Sequence, residues 1–165
     1  HYGLKDLLSQ SGAAHFIVLE RLQDPGNLGT ILRAGEAAGI TGVIMDSQTA
    51  DIYNPKVIRS TMGAVFRVPF VYVEDLKAAL LQLKDHGVHL YAAHLKGQNS
   101  YDQEDYTEST GFLIGNEAQG LSDEIASLAD TYVKIPMAGS VESLNAAIAS
   151  SVLMFEVARQ RRNQK

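Results

Sequence analysis

The sequence predicts an α/β fold in which a parallel sheet carries helices on both sides. Apolar runs of strand length alternate along the chain with stretches of helical periodicity. The runs at Val43-Ile44-Met45 and Phe112-Leu113-Ile114-Gly115 are apolar without alternation, as in strands buried on both faces. Three strands are followed by polar, glycine-containing loops, at the edge where such sheets bind ligands.

The first strand is expected over residues 15–22 and the first long helix over 27–39, with Gly39 as its stop. A strand follows over 41–46. A short helix then spans 54–63, with Asn54 as cap and Pro55 at the first helical position. The run 66–73 reads as a strand in which Pro69 suits an edge or a strand start. Residues 75–87 form an amphipathic helix: Leu76, Leu80 and Leu83 share a face and Gly87 ends it. Strands are expected at 88–95 and 111–116, and a polar loop with one helical turn at 96–110. A helix capped by Ser122 spans 121–130, favoured by Asp123 and Glu124 in its first turn. The last strand covers 131–137. The last helix runs from about Ser143 to Arg159, with Leu144, Ile148, Val152 and Phe155 as its core-facing stripe. Residues 1–14 read as a linker or docking helix outside the core, so the domain proper is 15–165.

At 165 residues with 45% hydrophobic residues, one domain with a substantial core is expected. The absence of cysteine excludes disulfides and thiolate metal sites. No apolar run approaches the roughly 20 residues of a membrane helix, and a cytoplasmic location fits both facts. His89 and His94 lie on opposite sides of one predicted strand, so they are a poor ligand pair and no metal site is expected. The net charge of −5 argues mildly against an extensive nucleic-acid surface, although cations cluster at Lys56, Arg59 and Arg67 and in the tail at Arg159, Arg161, Arg162 and Lys165. Solvated surface charge is the simplest reading of the tail.

The chemistry-bearing residues lie in the three loops. The first places Asn27 at a helix start and Arg33 about one and a half turns on. Its spacing is not that of a dinucleotide fingerprint. Taken alone, Asn27 reads as a helix cap and Arg33 as a surface cation. The second sets Glu117 on a glycine-flanked loop, where a carboxylate also serves to bind backbone N–H groups. The third is a Gly/Ser loop followed by a helix start of small residues, Ala146 to Ser151, with Asn145 beside it.

Together, in this order and spacing, these loops resemble the SpoU (TrmH-like) family of RNA ribose 2′-O-methyltransferases, within the SPOUT superfamily. The resemblance runs from about Phe16 to about Glu156. Its first motif matches Asn27, Gly29 and Arg33. Its second matches Gly115, Asn116, Glu117 and Gly120. Its third matches Ile135, Pro136, Met137, Gly139, Ser143, Leu144 and Asn145.

The resemblance implies an α/β-knot fold with a C-terminal trefoil knot, which periodicity alone would never suggest. A slender helix start suits the crossing of a threaded chain. It implies S-adenosylmethionine as cofactor, bent within the knot against Gly115, Ile135, Met137 and Leu144. Asn116, Glu117, Gly120 and Ser143 of the same motifs and Leu95 at the end of a strand complete that site. Arg33 is the expected catalytic residue, oriented with the substrate by Asn27, Glu117 and Asn145. Glu117 as general base is a rival assignment that requires a raised pKa. The family implies a homodimer with active-site groups from both chains and an RNA substrate, ribosomal RNA ahead of transfer RNA. It also implies an N-terminal RNA-recognition domain lying outside this chain. Three rivals remain. They are an RNA-binding ribosome-assembly module of the same fold without catalysis, a doubly wound nucleotide-binding enzyme, and a superfamily relative that methylates a base nitrogen.

Overall fold

The structure, a computed structural model, describes residues 3–61, 67–94 and 97–164. Seven parallel strands form one sheet in the order β3-β2-β1-β6-β4-β7-β5. They are β1 (His15–Leu19), β2 (Gly42–Asp46), β3 (Phe70–Val73), β4 (His89–Ala93), β5 (Asn99–Ser100), β6 (Thr110–Ile114) and β7 (Thr131–Lys134). The helices are α1 (Leu4–Leu8), α2 (Pro25–Ala38), α3 (Pro55–Thr61), α4 (Leu76–Asp85), α5 (Asp123–Ala126) and α6 (Ala146–Arg162).

The pleat sorts strand residues between two hydrophobic clusters, as the unalternating apolar runs require. Ile17, Leu19, Val43, Met45, Phe112 and Ile114 join the cluster that includes residues of α2, α3 and α6. Phe16, Val18, Ile44 and Leu113 join the one that includes residues of α1 and α4. Leu7 of α1 is 1% exposed within the second cluster, so the expectation that the first fourteen residues stay outside the core fails at that side chain. The sheet grows from β1 through β2 to β3, then from β6 on the other side. The reversal at β1/β6 opens a crevice at the carboxyl edge.

Several boundaries differ from expectation. β1 ends at Leu19: Glu20 N–H still donates to the Ile114 carbonyl, but the ladder then gives way to side chains, Arg21 N–H donating to the Asp46 carboxylate and Leu22 N–H to Thr49 Oγ1. β3 starts at Phe70, after Pro69, whose carbonyl accepts from Val43 N–H. The polar stretch after β4 holds a two-residue strand, a 3-10 turn at Tyr101–Gln103 and a fully buried Tyr106. α5 is a single turn, capped by Ser122 as expected.

The largest correction concerns α6. It starts at Ala146, and its buried face is Ala147, Ser150, Leu153, Met154 and Val157. Of the stripe expected to face the core, Ile148 is 52% and Phe155 44% exposed. Both stripes repeat at helical spacing, and sequence periodicity alone does not say which one meets the sheet. The cationic end of α6 is also committed. Arg159 pairs with Glu156 at 2.8 Å, and Arg161 donates to the carbonyls of Ala13, Ala14, Tyr106 and Glu108.

His15 lies in this interior at 2% exposure, its ring edge-on to Phe112 and its Nε2 without a partner. Burial, helped by the positive charge of Arg161, lowers its pKa to about 3. The unfolded chain therefore binds a proton that the folded chain refuses between pH 6.5 and about 3, so folding stability falls as pH falls through that window. Urea unfolding at a series of pH values is expected to show a loss of up to about 1.4 kcal/mol per pH unit from this group. His15→Leu should flatten that slope.

Candidate functional site

Asp24, not Asn27, caps α2: its carboxylate accepts from Gly26 and Asn27 N–H. Asn27 therefore sits in the first turn with its side-chain amide free to reach outward. Its Nδ2 donates to Glu117 at 3.4 Å and its Oδ1 accepts from Asn145 Nδ2 at 3.1 Å. Asn145 in turn caps α6, its Oδ1 accepting from Ala147 and Ile148 N–H. One hydrogen-bonded chain, Glu117–Asn27–Asn145, thus joins the loops that follow β1, β6 and β7.

Glu117 also accepts from Asp24 N–H at 2.7 Å and Gln23 N–H at 3.1 Å. Burial pushes its pKa upward, but these backbone donors and the Asn27 amide outweigh that and leave it below the ordinary glutamate value. A carboxylate so occupied is a clasp and a poor proton acceptor, contrary to the raised pKa that a general base needs.

Asn116 shapes the second loop. Its Oδ1 accepts from Ala118 and Gln119 N–H, its Nδ2 donates to the Arg21 carbonyl, and its backbone pairs with Gly120. Gly115 lies against that turn. A Cβ there would stand 2.2 Å from both Gly120 C and Leu121 N, so no side chain fits. Gly29 is equally constrained, since a Cβ would meet Ser60 Oγ at 1.7 Å. Its close neighbour is α3.

Beneath these loops is a cavity of about 750 Å³, within the range of small-molecule sites. Gly115, Asn116, Glu117 and Gly120 line it, as do Ile135, Met137, Ser143 and Leu144. Leu95, the remaining expected contact, lies outside the described residues. Among the described residues, no backbone group from Ile135 to Leu144 has a hydrogen-bond partner within the protein. Of this stretch Ile135, Pro136, Met137, Glu142, Ser143 and Leu144 line the cavity, so backbone groups without partners among the described residues stand beside the apolar side chains of Leu113, Ile135 and Met137.

Arg33 is not part of the lining. It is exposed on α2 and makes no hydrogen bond or ion pair among the described residues. Sequence reasoning missed Glu142 and Lys134 on the cavity wall, and Glu20, which is 7% exposed and accepts from Ser122 N–H and Oγ–H. It also missed Arg21, held at φ 54° with its guanidinium donating to Gln119. Charged residues beside the quoted motifs were the available signal. Among the described residues no three or more His, Asp or Glu side chains gather as a metal site would need. No described helix is long and apolar enough to cross a membrane.

Comparison with known proteins agrees with this geometry. A model of the SpoU rRNA Methylase family matches residues 14–155. A curated protein of Staphylococcus aureus (strain MSSA476), named for the TrmH family of tRNA/rRNA methyltransferases, is 35% identical over 158 residues. The match covers 96% of this chain and 64% of that protein, so the chain spans just under two thirds of this relative's length. The crystal structure of the SpoU methyltransferase AviRb from Streptomyces viridochromogenes, in complex with the cofactor AdoMet, superposes with a TM-score of 0.89. It shares 34% identity over 97% of this chain and 62% of its own. An RNA 2′-O ribose methyltransferase superposes with a TM-score of 0.83 and 32% identity, over 92% of this chain and 58% of its own.

The clasp yields a direct test. Glu117→Gln leaves an amide whose oxygen can satisfy only part of the Gln23, Asp24 and Asn27 donor set. Thermal or urea unfolding is expected to show a loss of about 1–3 kcal/mol. Gly115→Ala, which forces backbone against backbone, should cost more.

Proposed function

Because the chain belongs to the SpoU rRNA Methylase family, we propose that it transfers a methyl group from S-adenosylmethionine to a ribose 2′-hydroxyl of structured RNA, ribosomal RNA ahead of transfer RNA. The observation that carries the reading is the cavity itself. Its wall at Ile135–Met137 and Glu142–Leu144 presents backbone groups without a hydrogen-bond partner among the described residues, and the Glu117–Asn27–Asn145 chain ties the surrounding loops together.

The residues present fit that cofactor. Free backbone donors and acceptors suit the edge of an adenine, and Leu113, Ile135 and Met137 suit its faces. A threaded C-terminal segment is part of the reading. It is supported by the thin start of α6, where Ala146 and Ala149 border the cavity, and by the fold shared with SpoU structures. When bound, the cofactor supplies an electrophilic methyl group on a sulfonium. The leaving thioether is neutral and needs no acid, so the protein's task is to position the 2′-hydroxyl and to stabilise the charge that develops as its proton departs.

Glu117 is spent on the Gln23 and Asp24 N–H groups, so the stabilising group is assigned to Arg33. Arginine stays protonated in proteins, and an electrostatic role that grips phosphate and nascent alkoxide suits it better than proton abstraction. Arg33 is unpartnered and lies outside its own cavity, so it serves the cavity of a second copy of the chain. The apolar stripe of α6, with Ile148 and Phe155 exposed and Val152 half-buried between them, supports such a dimer, because those side chains gain by being covered.

Two measurements test the reading. Arg33→Ala is expected to lower single-turnover methylation at least about 100-fold while S-adenosylmethionine binding, followed by calorimetry, is unchanged. Undiminished turnover would remove Arg33 from the mechanism. Ile148→Asp with Phe155→Glu should give a monomer by light scattering that binds cofactor and transfers no methyl group. Mapping 2′-O-methyl positions in ribosomal and transfer RNA from cells with and without the protein identifies the substrate.

A further inference from the structure

A second surface lies on α3 and the adjoining face of α2, around Arg33. The segment from β2 to α3 is pinned to the loop after β1. The Arg21 backbone N–H binds Asp46, Thr49 Oγ1 accepts from Leu22 N–H, and Ala50 N–H donates to the Leu22 carbonyl. This segment brings Tyr53 and the first turn of α3 to the carboxyl edge of the sheet. From there Tyr53, Lys56 and Arg59 follow at intervals of three, so the two cations share one face of α3. α3 lies tight against α2, with Ser60 filling the space over Gly29, and Arg33 stands one turn further along α2.

The charges of this face are uncompensated. Lys56, Arg59 and Arg33 are exposed, and none makes a side-chain hydrogen bond or ion pair among the described residues. Cations elsewhere are mostly committed: Arg67 to Glu36, Lys84 to Asp130 and Arg159 to Glu156, while Arg161 is spent on carbonyls. Tyr53 is 56% exposed, its ring held edge-to-face against Phe70 at 6.4 Å, which leaves an aromatic surface to solvent. In a chain of net charge −5, a local row of free cations with an ordered aromatic at its end is the pattern of a single-stranded nucleic-acid track.

We propose that the α2–α3 face binds the RNA strand flanking the target nucleotide, with Lys56 and Arg59 on successive phosphates and Tyr53 stacked on a base. This rests on the methyltransferase reading above and adds to it a strand path that continues from Arg33. The acidic balance of the chain then has a physical sense: attraction is confined to one face, next to the chemistry.

The test uses the full chain and a short fluorescein-labelled single-stranded oligoribonucleotide of mixed sequence, titrated over a range of salt concentrations, with the same sequence as a duplex for comparison. Lys56→Ala with Arg59→Ala is expected to reduce the slope of log K against log salt by about 1.4, two contacts at ~0.7 each. Tyr53→Ala should weaken single-strand binding about 5- to 100-fold and change duplex binding little. Both variants should keep the unfolding temperature and the S-adenosylmethionine affinity of the parent. An unchanged salt slope, equal losses on duplex and single strand, or no binding of the oligoribonucleotide by the parent chain at low salt would overturn the proposal. Failure of the parent chain to bind S-adenosylmethionine would instead strike the methyltransferase reading, whatever the RNA titrations show.

Discussion

Three loops from distant parts of the chain meet at a single amide. Asn27 donates to Glu117 and accepts from Asn145, and those two residues lie 90 and 118 positions away in sequence. The arrangement depends on a substitution of roles. Asp24 takes over the capping of α2, so Asn27 keeps both ends of its amide for the neighbouring loops, while Asn145 divides its own between α6 and Asn27. The rest of the site follows. With the loops tied, the stretch from Ile135 to Leu144 needs no strand partner to hold it. Among the described residues its backbone groups have no partner, which leaves those at Ile135–Met137 and Glu142–Leu144 open to the cavity.

Much of the sheet could be read from composition along the chain. The runs at Val43–Met45 and Phe112–Ile114 belong to interior strands whose two faces both meet helices, and their lack of alternation says so directly. The ends of elements were less legible. Just past Leu19 the ladder stops because side chains of Asp46 and Thr49, from the next strand and its loop, capture the Arg21 and Leu22 N–H groups, and no local propensity records that competition. α6 shows a different limit. Two apolar stripes lie on it, and the choice between core and surface depends on the rotation of the helix over the sheet. In the fold Ala147, Ser150, Leu153, Met154 and Val157 are the side chains turned inward, with Met154 close to Gly35 of α2, a tertiary contact that no local pattern records.

The site was legible as a set of residues and illegible as a geometry. Gly115, Asn116, Glu117, Gly120, Ile135, Pro136, Met137, Ser143 and Leu144 line one cavity, Asn27 and Asn145 tie on to it through Glu117, Gly29 packs against α3, and Arg33 and Gly139 are not in the lining. The sequence contains no mark of that separation. A side chain that lines a cavity and one that stands clear of it look the same along one chain. Gly29 is instructive in the same way: the pattern required a small residue there, and the reason was a neighbouring helix instead of a bound molecule.

The guanidinium of Arg161 holds four main-chain oxygens at the far end of α6. A helix of 17 residues is about 25 Å long, so this anchorage stands well away from the cavity. It ties the C-terminal helix to the segment entering β1 and to the loop before β6. The consequence is mechanical. A pull on the carboxyl end is borne first at this buckle and shared among three parts of the backbone. The slender, alanine-rich turn beside the cavity feels no tension until the buckle gives way.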